Sequence, residues 1–233
     1  QSINPKNRAL QAIVLCPTRE LAVQVAEEIQ TLGMFIRGLN VLAVYGGQSI
    51  DRQLRELARG VQVVVGTPGR IMDHMERGTI RMNEVQFAVL DEADEMLNMG
   101  FREDIEKILH DVPEEAQRAF FSATMPIAIK KMTERFLHDP QHLRIEQKSL
   151  TVAAIEQTYY EIRPHRKMDA LCRLLDSEDF SKVLIFCSTK RMVDEMTTHL
   201  QSRGYQTDAL HGDLAQTQRD RVMGRFRSGE LKV

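Results

Sequence analysis

Short apolar runs alternate with stretches of helical period along almost the whole chain, and no other feature limits its possible folds as strongly. Ala12 to Leu15, Val41 to Tyr45, Val61 to Val65, Val85 to Leu90 and Ala119 to Phe121 read as buried strands. Between them apolar residues recur at spacings of three and four, as at Leu21, Val25, Ile29, Leu32 and Ile36, which marks helices with one buried face. Helices are also expected over Ile50 to Ala58, from Pro68 through Met75, over Glu103 to Leu109 and over Ile127 to Leu137. Strand alternating with helix implies parallel strands joined by right-handed crossovers, so every strand-to-helix exit falls on the same edge of its sheet. The fold class expected is α/β with parallel sheets.

The alternation stops and restarts. After a strand expected near Leu143 to Ile145, residues 147–154 are poor in large apolar side chains and have no helical period, as a linker would. Residues 1–146 and 155–233 are therefore expected to form two lobes. In the second, strands are expected at Ile155 to Ile162, Val183 to Phe186 and Tyr205 to Leu210, with helices over Lys167 to Leu175, from the exit Ser188-Thr189-Lys190-Arg191 to about Arg203, and over Leu214 to Phe226. Leu231-Lys232-Val233 reads as the opening of one more strand, so both lobes are expected to be truncated.

At 233 residues, 42% of them hydrophobic, the chain is long enough for two cores. No apolar run approaches the length that spans a bilayer, and the first residues do not resemble a signal peptide, so a cytoplasmic location is expected, with the nucleus as the alternative in a eukaryote. Cys16, Cys172 and Cys187 are far apart and odd in number, which argues against a disulfide framework or a zinc site; Cys16 and Cys187 end apolar runs and are expected to be buried thiols. The methionines, Met125 and Met132 among them, are expected in the core. His138 and His142 flank Pro140 and so are not expected to share a helical face as a metal pair. A net charge of -2 leaves any nucleic-acid contact to a local patch.

The chemistry is concentrated at the exits. Pro17, Thr18 and Arg19 follow the first strand, Gly46 and Gly47 the second, Thr67, Gly69 and Arg70 the third, and Asp91, Glu92 and Asp94 the fourth. Ser122 and Thr124 follow the fifth, and Thr189, Lys190, Arg191, Gly212 and Asp213 lie at exits of the second half. Helix N-termini with exposed N–H groups, a hydroxyl and an arginine suit the phosphates of a nucleic-acid backbone. Carboxylates at the carboxyl edge of a parallel sheet suit a nucleotide site, one holding a magnesium ion through its waters and the next orienting a water for attack on phosphorus. The competing readings are structural: Thr and Ser as ordinary helix caps, the acids as a solvated helix start, and Gln216 with Arg219 as a solvated helix face.

Seven strings occur in order: P-T-R-E-L-A-V-Q from Pro17, Gly46-Gly47, T-P-G-R from Thr67, D-E-A-D from Asp91, S-A-T from Ser122, L-I-F-C-S-T from Leu184, and Q-x-x-R from Gln216. With these motifs the chain resembles a DEAD-box ATP-dependent RNA helicase, and within that family it is similar to the translation initiation factor 4A group and its bacterial relatives. The resemblance implies two RecA-like lobes, ATP and Mg2+ as cofactors, RNA as partner through backbone contacts of little sequence specificity, and ATP hydrolysis coupled to local duplex opening. It implies that Asp91 holds magnesium through water, that Glu92 orients the attacking water, and that Asp94, Ser122 and Thr124 couple the nucleotide site to closure of the lobes. It also implies that Pro17, Thr18, Arg19, Gly46, Gly47, Thr67, Gly69 and Arg70 contact RNA in the first lobe. Thr189, Lys190, Arg191, Gly212, Asp213, Gln216 and Arg219 do so in the second.

Ser188 departs from the asparagine usual in its motif. The string G-x-x-x-x-G-K-[ST] does not occur, so the chain is expected to be a central segment of such a helicase, unable to hydrolyse ATP by itself. A DNA helicase with the same lobes, or a non-catalytic clamp that binds RNA or protein, are the alternatives; intact Asp91 and Glu92 weigh against the clamp.

Overall fold

The computed structural model describes residues 2–145 and 155–233 and divides into two compact units, Gln1–Leu143 and Arg144–Val233. The expected linker lies outside the described residues. In the first unit, five parallel strands form one sheet: β1 (Ala12–Leu15), β2 (Val41–Val44), β3 (Val63–Gly66), β4 (Phe87–Leu90) and β5 (Gln117–Phe120), in the order β2-β3-β1-β4-β5. Helices α1 (Arg19–Leu32), α2 (Ile50–Ala58) and α3 (Pro68–Glu76) follow the first three strands; α4 (Ala93–Asn98) and α5 (Arg102–Asp111) both follow β4, and α6 (Ile127–Phe136) follows β5.

The register has no offset. Leu15 lies opposite both Gly66 and Leu90, Val44 opposite Gly66, and Leu90 opposite Phe120, so all five strands end on one line. Successive side chains of β1 point to opposite faces. Ile13 and Leu15 join Val64, Leu90, Ile71, Ile105, Ile108 and Ile129 in the larger core, while Val14 and Cys16 join Val63, Val65, Ala22 and Ala26 on the other face. Burial on both faces explains why these strands read as unbroken apolar runs.

Several boundaries differ from the sequence reading. Helix α1 stops at Leu32 because Gly33 caps it, donating its N–H to the Ile29 carbonyl; Leu32 and Ile36, which continue the apolar period, are therefore exposed. Leu143 and Ile145 form no strand and lie in solvent, at 91% and 94% exposure. Met125 is exposed, because it sits in the turn after β5, whereas Met132 on α6 is in the core.

The second unit contains α7 (Lys167–Ser177), α8 (Lys190–Ser202) and α9 (Gln216–Ser228), close to the expected helices. No regular strand occurs among its described residues. Extended chain takes their place: the Val183 N–H donates to the Lys232 carbonyl at 2.7 Å, and the Lys232 and Val233 N–H groups donate to the Gln206 carbonyl at 3.1 and 3.2 Å. Leu231 to Val233 thus does run between two of the expected strand segments. These few bonds do not make a ladder, which needs consecutive pairs along both neighbours, and Leu184 and Phe186 stay exposed. No helix among the described residues is long and apolar enough to cross a membrane.

Arg118, on the edge strand β5, ties two helix ends to the sheet. Its guanidinium donates to the Phe136 carbonyl at 2.9 Å, at the end of α6, and to the Val112 and Pro113 carbonyls at 3.0 and 3.2 Å, just past α5. A cation at helix C-termini satisfies carbonyls that lack an intrahelical partner and opposes the negative ends of the dipoles. Arg118→Met is expected to destabilise the protein by about 3 kcal/mol, the range of hydrogen bonds from a charged group, read as a lower midpoint in a urea titration.

Candidate functional site

Thr18 opens α1 as its N-cap, the oxygen of its hydroxyl accepting the Leu21 N–H at 3.3 Å. A capping hydroxyl spends a lone pair and keeps its own proton to donate. Arg19 then lies over the exit of β2. Gly47 adopts φ 84, and a Cβ there would meet the Arg19 guanidinium, so the guanidinium rests against bare glycine backbone in a conformation that favours glycine. Thr67 occupies the N-cap of α3 with Pro68 behind it, as expected, but its hydroxyl makes no capping bond.

Arg70 joins the exits of β2 and β3. Its Nη1 donates to the Gln48 carbonyl at 3.4 Å and to Gln53 Oε1 at 3.2 Å, and its Nε lies 3.8 Å from Asp73 Oδ2. Gln53 and His74, both fully buried, were not candidates from sequence: each looks like an ordinary polar residue of an amphipathic helix. Gln53 Nε2 donates to the Tyr45 carbonyl and to Gln48 Oε1, both at 3.0 Å, and its Oε1 lies 2.9 Å from His74 Nε2. Burial, with the Arg70 cation beside it, holds the His74 imidazole below its ordinary range.

The acidic exit is built differently. The Asp91 N–H donates to the Leu15 carbonyl at 2.9 Å, which carries the β1–β4 pairing one residue beyond the strand, and the Glu92 N–H turns back onto Asp91 Oδ1 at 3.0 Å. Glu92 adopts φ 51, ψ 50, left-handed backbone that costs a residue with a Cβ about 1–2 kcal/mol. This conformation starts α4 and leaves the Glu92 side chain exposed at the rim beside half-buried Asp91. Asp94 is turned inward, 6% exposed, where its Oδ2 accepts the Thr124 N–H at 3.0 Å and the Thr124 hydroxyl at 2.6 Å. Ser122 Oγ donates to the Thr124 carbonyl at 2.6 Å. Burial alone would raise the Asp94 carboxyl, but the hydrogen bonds it accepts, those from Thr124 foremost, outweigh it and hold the group below its usual range. Cys16, beneath this edge, is pushed up to about 12, first by burial and then by Asp91 and Glu92, so it stays a thiol.

In the second unit, Thr189 caps α8, accepting the Met192 N–H at 3.2 Å. Lys190 pairs with Asp213 at 2.5 Å across the Gly212 turn, and Arg191 pairs with Glu195 at 2.7 Å. Gln216 is buried, with Nε2 donating to Asp220 Oδ1 at 2.9 Å, and Arg219 is half-buried, so neither belongs to a solvated face. Cys187 is only half-buried, since the extended segment that carries it has no ladder to cover it.

Among the described residues no cluster of three or more histidine, cysteine or acidic side chains could hold a metal ion, His138 and His142 included. That does not count against magnesium, which keeps most of its waters and takes one or two carboxylates. Asp91 fits this use: it is half-buried at the end of β4, and one of its two oxygens accepts the Glu92 N–H.

Residues 1–132 match the family model described as DEAD/DEAH box helicase, and residues 166–233 match that of the helicase conserved C-terminal domain. The chain is 48% identical over its whole length to the DEAD-box ATP-dependent RNA helicases CshA of Bacillus subtilis and Geobacillus kaustophilus, covering 47% and 50% of them. It thus spans about half the length of these curated relatives. Among solved structures it resembles yeast Dbp5 bound to RNA and ADP BeF3 (30% identity, TM-score 0.84, 99% of this chain and 58% of that one). It also resembles a DEAD box protein from Methanococcus jannaschii (41% identity, TM-score 0.60, 99% and 61%).

Depression of the His74 pKa has a definite sign. The unfolded chain takes up a proton near 6.5 and the folded chain resists it, so stability is full above pH 6.5 and declines as the pH falls below it. Between pH 7 and 5 the urea midpoint is expected to fall, and His74→Gln, which cannot titrate, is expected to flatten that decline.

Proposed function

Because this chain belongs to the DEAD/DEAH box helicase family, we propose that it forms the core of an ATP-dependent RNA helicase, similar in its motifs to the translation initiation factor 4A group and its bacterial relatives. The observation that carries this reading is the zero-offset register, which aligns the acidic exit of β4 with the arginine and glycine exits of β1, β2 and β3. One sheet edge thereby offers a nucleotide site and a phosphate-binding rim side by side.

In this reading Asp91 would hold a magnesium ion through its waters, and such an ion would supply positive charge beside the nucleotide's phosphates. Glu92, exposed by its left-handed backbone, accepts a hydrogen bond from the attacking water and aligns it. Asp94 takes no part in proton transfer: a carboxylate held ionised by Thr124 is a fixed acceptor. It locks the exits of β4 and β5 together, so that a change at the nucleotide reaches Ser122 and Thr124. Thr18, Arg19, Gly46, Gly47, Thr67, Gly69 and Arg70, with Pro17 shaping the turn, meet the RNA backbone in the first unit. Thr189, Lys190, Arg191, Gly212, Asp213, Gln216 and Arg219 provide the corresponding face in the second. Backbone contacts of this kind carry little sequence information.

Glu92→Gln in the full-length protein is expected to lower RNA-stimulated ATP turnover by about 10² to 10⁴, the contribution of a positioned acid–base group, with nucleotide affinity unchanged. Wild-type turnover in that variant would remove Glu92 from the chemistry. Arg19→Ala is expected to weaken single-stranded RNA binding equally across sequences and to reduce the slope of log affinity against log salt by about 0.7, one phosphate contact; an unchanged slope would place the RNA elsewhere.

A further inference from the structure

We infer that Gln53 and His74 are positioning residues for RNA, a buried pair that sets the orientation of Arg70 and fixes it to the Gly46–Gly47 turn. The inference rests on the assignment of Arg70 to the RNA face. Gln53 uses its full hydrogen-bonding capacity: two N–H donors to the Tyr45 carbonyl and Gln48 Oε1, and one oxygen shared by Arg70 Nη1 and His74 Nε2. The amide can face only one way. Arginine can only donate and a carbonyl can only accept, so the oxygen must lie toward Arg70 and the nitrogen toward Tyr45.

That orientation fixes the imidazole as well. His74 must donate through Nε2, which in the neutral ring leaves Nδ1 as acceptor. Thr79 Oγ1 lies 2.9 Å from Nδ1 and 3.0 Å from the His74 carbonyl. The carbonyl already receives the Thr79 and Ile80 N–H groups at 2.9 and 3.2 Å, so the hydroxyl proton goes to Nδ1. The chain of donors therefore runs from Thr79 through His74 to the oxygen that holds Arg70.

The Arg70 side chain is only 16% exposed. Its Nη1 is engaged by Gln48 and Gln53 and its Nε faces Asp73, while Nη2 has no hydrogen-bond partner among the described residues. A guanidinium held along one side presents its remaining N–H groups in a fixed direction, whereas a loose arginine would lose rotamer freedom on meeting a phosphate. Gln53 holds Tyr45 and Gln48, either side of the two glycines, through the same amide. The glycine turn and the arginine are thus set by one group, and neither is independent of α2.

The test is a double-mutant cycle on single-stranded RNA affinity at fixed salt, in the full-length protein. His74→Ala is expected to weaken RNA about 10-fold, on the order of one hydrogen bond to a charged group, and to raise the RNA concentration for half-maximal ATPase while leaving the saturated rate unchanged. His74→Gln, whose amide can still donate to Gln53, is expected to restore affinity to within about 2-fold of wild type. In an Arg70→Ala background His74→Ala is expected to have no further effect, because it acts through that arginine. Additive losses in the cycle, or unchanged affinity in His74→Ala, would overturn the inference. If Arg70→Ala alone leaves RNA affinity unchanged, it is the assignment of Arg70 to the RNA face that fails. Should His74→Ala not fold, Thr79→Val serves the same cycle: Thr79 is exposed, and removing its hydroxyl takes the donor away from His74 Nδ1, loosening the ring without cavitating the core. There a loss of about 3-fold that vanishes without Arg70 supports the positioning role, and wild-type affinity overturns it.

Discussion

Parallel pairing without offset is the constraint on which the first unit depends. Each of the four strand pairs ends level with its neighbour, so five chain exits leave the sheet along one line. Had β4 slipped by one residue, its side chains would change faces, and Leu90 would leave the larger core. Asp91 would then point into a sheet face. The position of the carboxylates is therefore maintained by the same apolar burial that stabilises the sheet.

Two kinds of polar linkage work along that edge. On the acidic side, Thr124 grips Asp94 directly and joins the exits of neighbouring strands. On the basic side the linkage goes beneath the surface, through an amide and an imidazole with no solvent exposure. Such a buried network is stable only when every member is satisfied. It transmits geometry because none of its groups has a second arrangement available: the donors and acceptors admit one orientation of Gln53 and one neutral tautomer of His74.

Much of the fold was legible in the sequence because burial on both faces of a parallel sheet writes itself as unbroken apolar runs. The exits were legible for a related reason, since glycine, threonine and arginine at strand ends stand out against such runs. What sequence did not reveal was local geometry decided by three-dimensional partners. Period alone carried α1 through Leu32 to Ile36, although Gly33 was a stop signal in plain view. Gln53 and His74 gave no sign at all, because their partners are 17 and 21 residues away or sit on another strand exit. In the second unit the apolar runs read as strands, and the described residues there form extended chain without a ladder: a strand also requires paired neighbours, and periodicity does not count neighbours.

With the role proposed for Glu92, folding and chemistry oppose each other at one position. Its left-handed backbone is the conformation that glycine adopts without strain and that asparagine tolerates better than most residues, yet neither can supply a carboxylate. A library of this protein sorted only for soluble expression or heat resistance would accept those residues at position 92. The loss would be invisible to any screen that does not measure phosphate release. Conversely, a lineage that no longer needed turnover would be released from the acid here sooner than from Asp94, whose carboxylate is also a fastener between two strands.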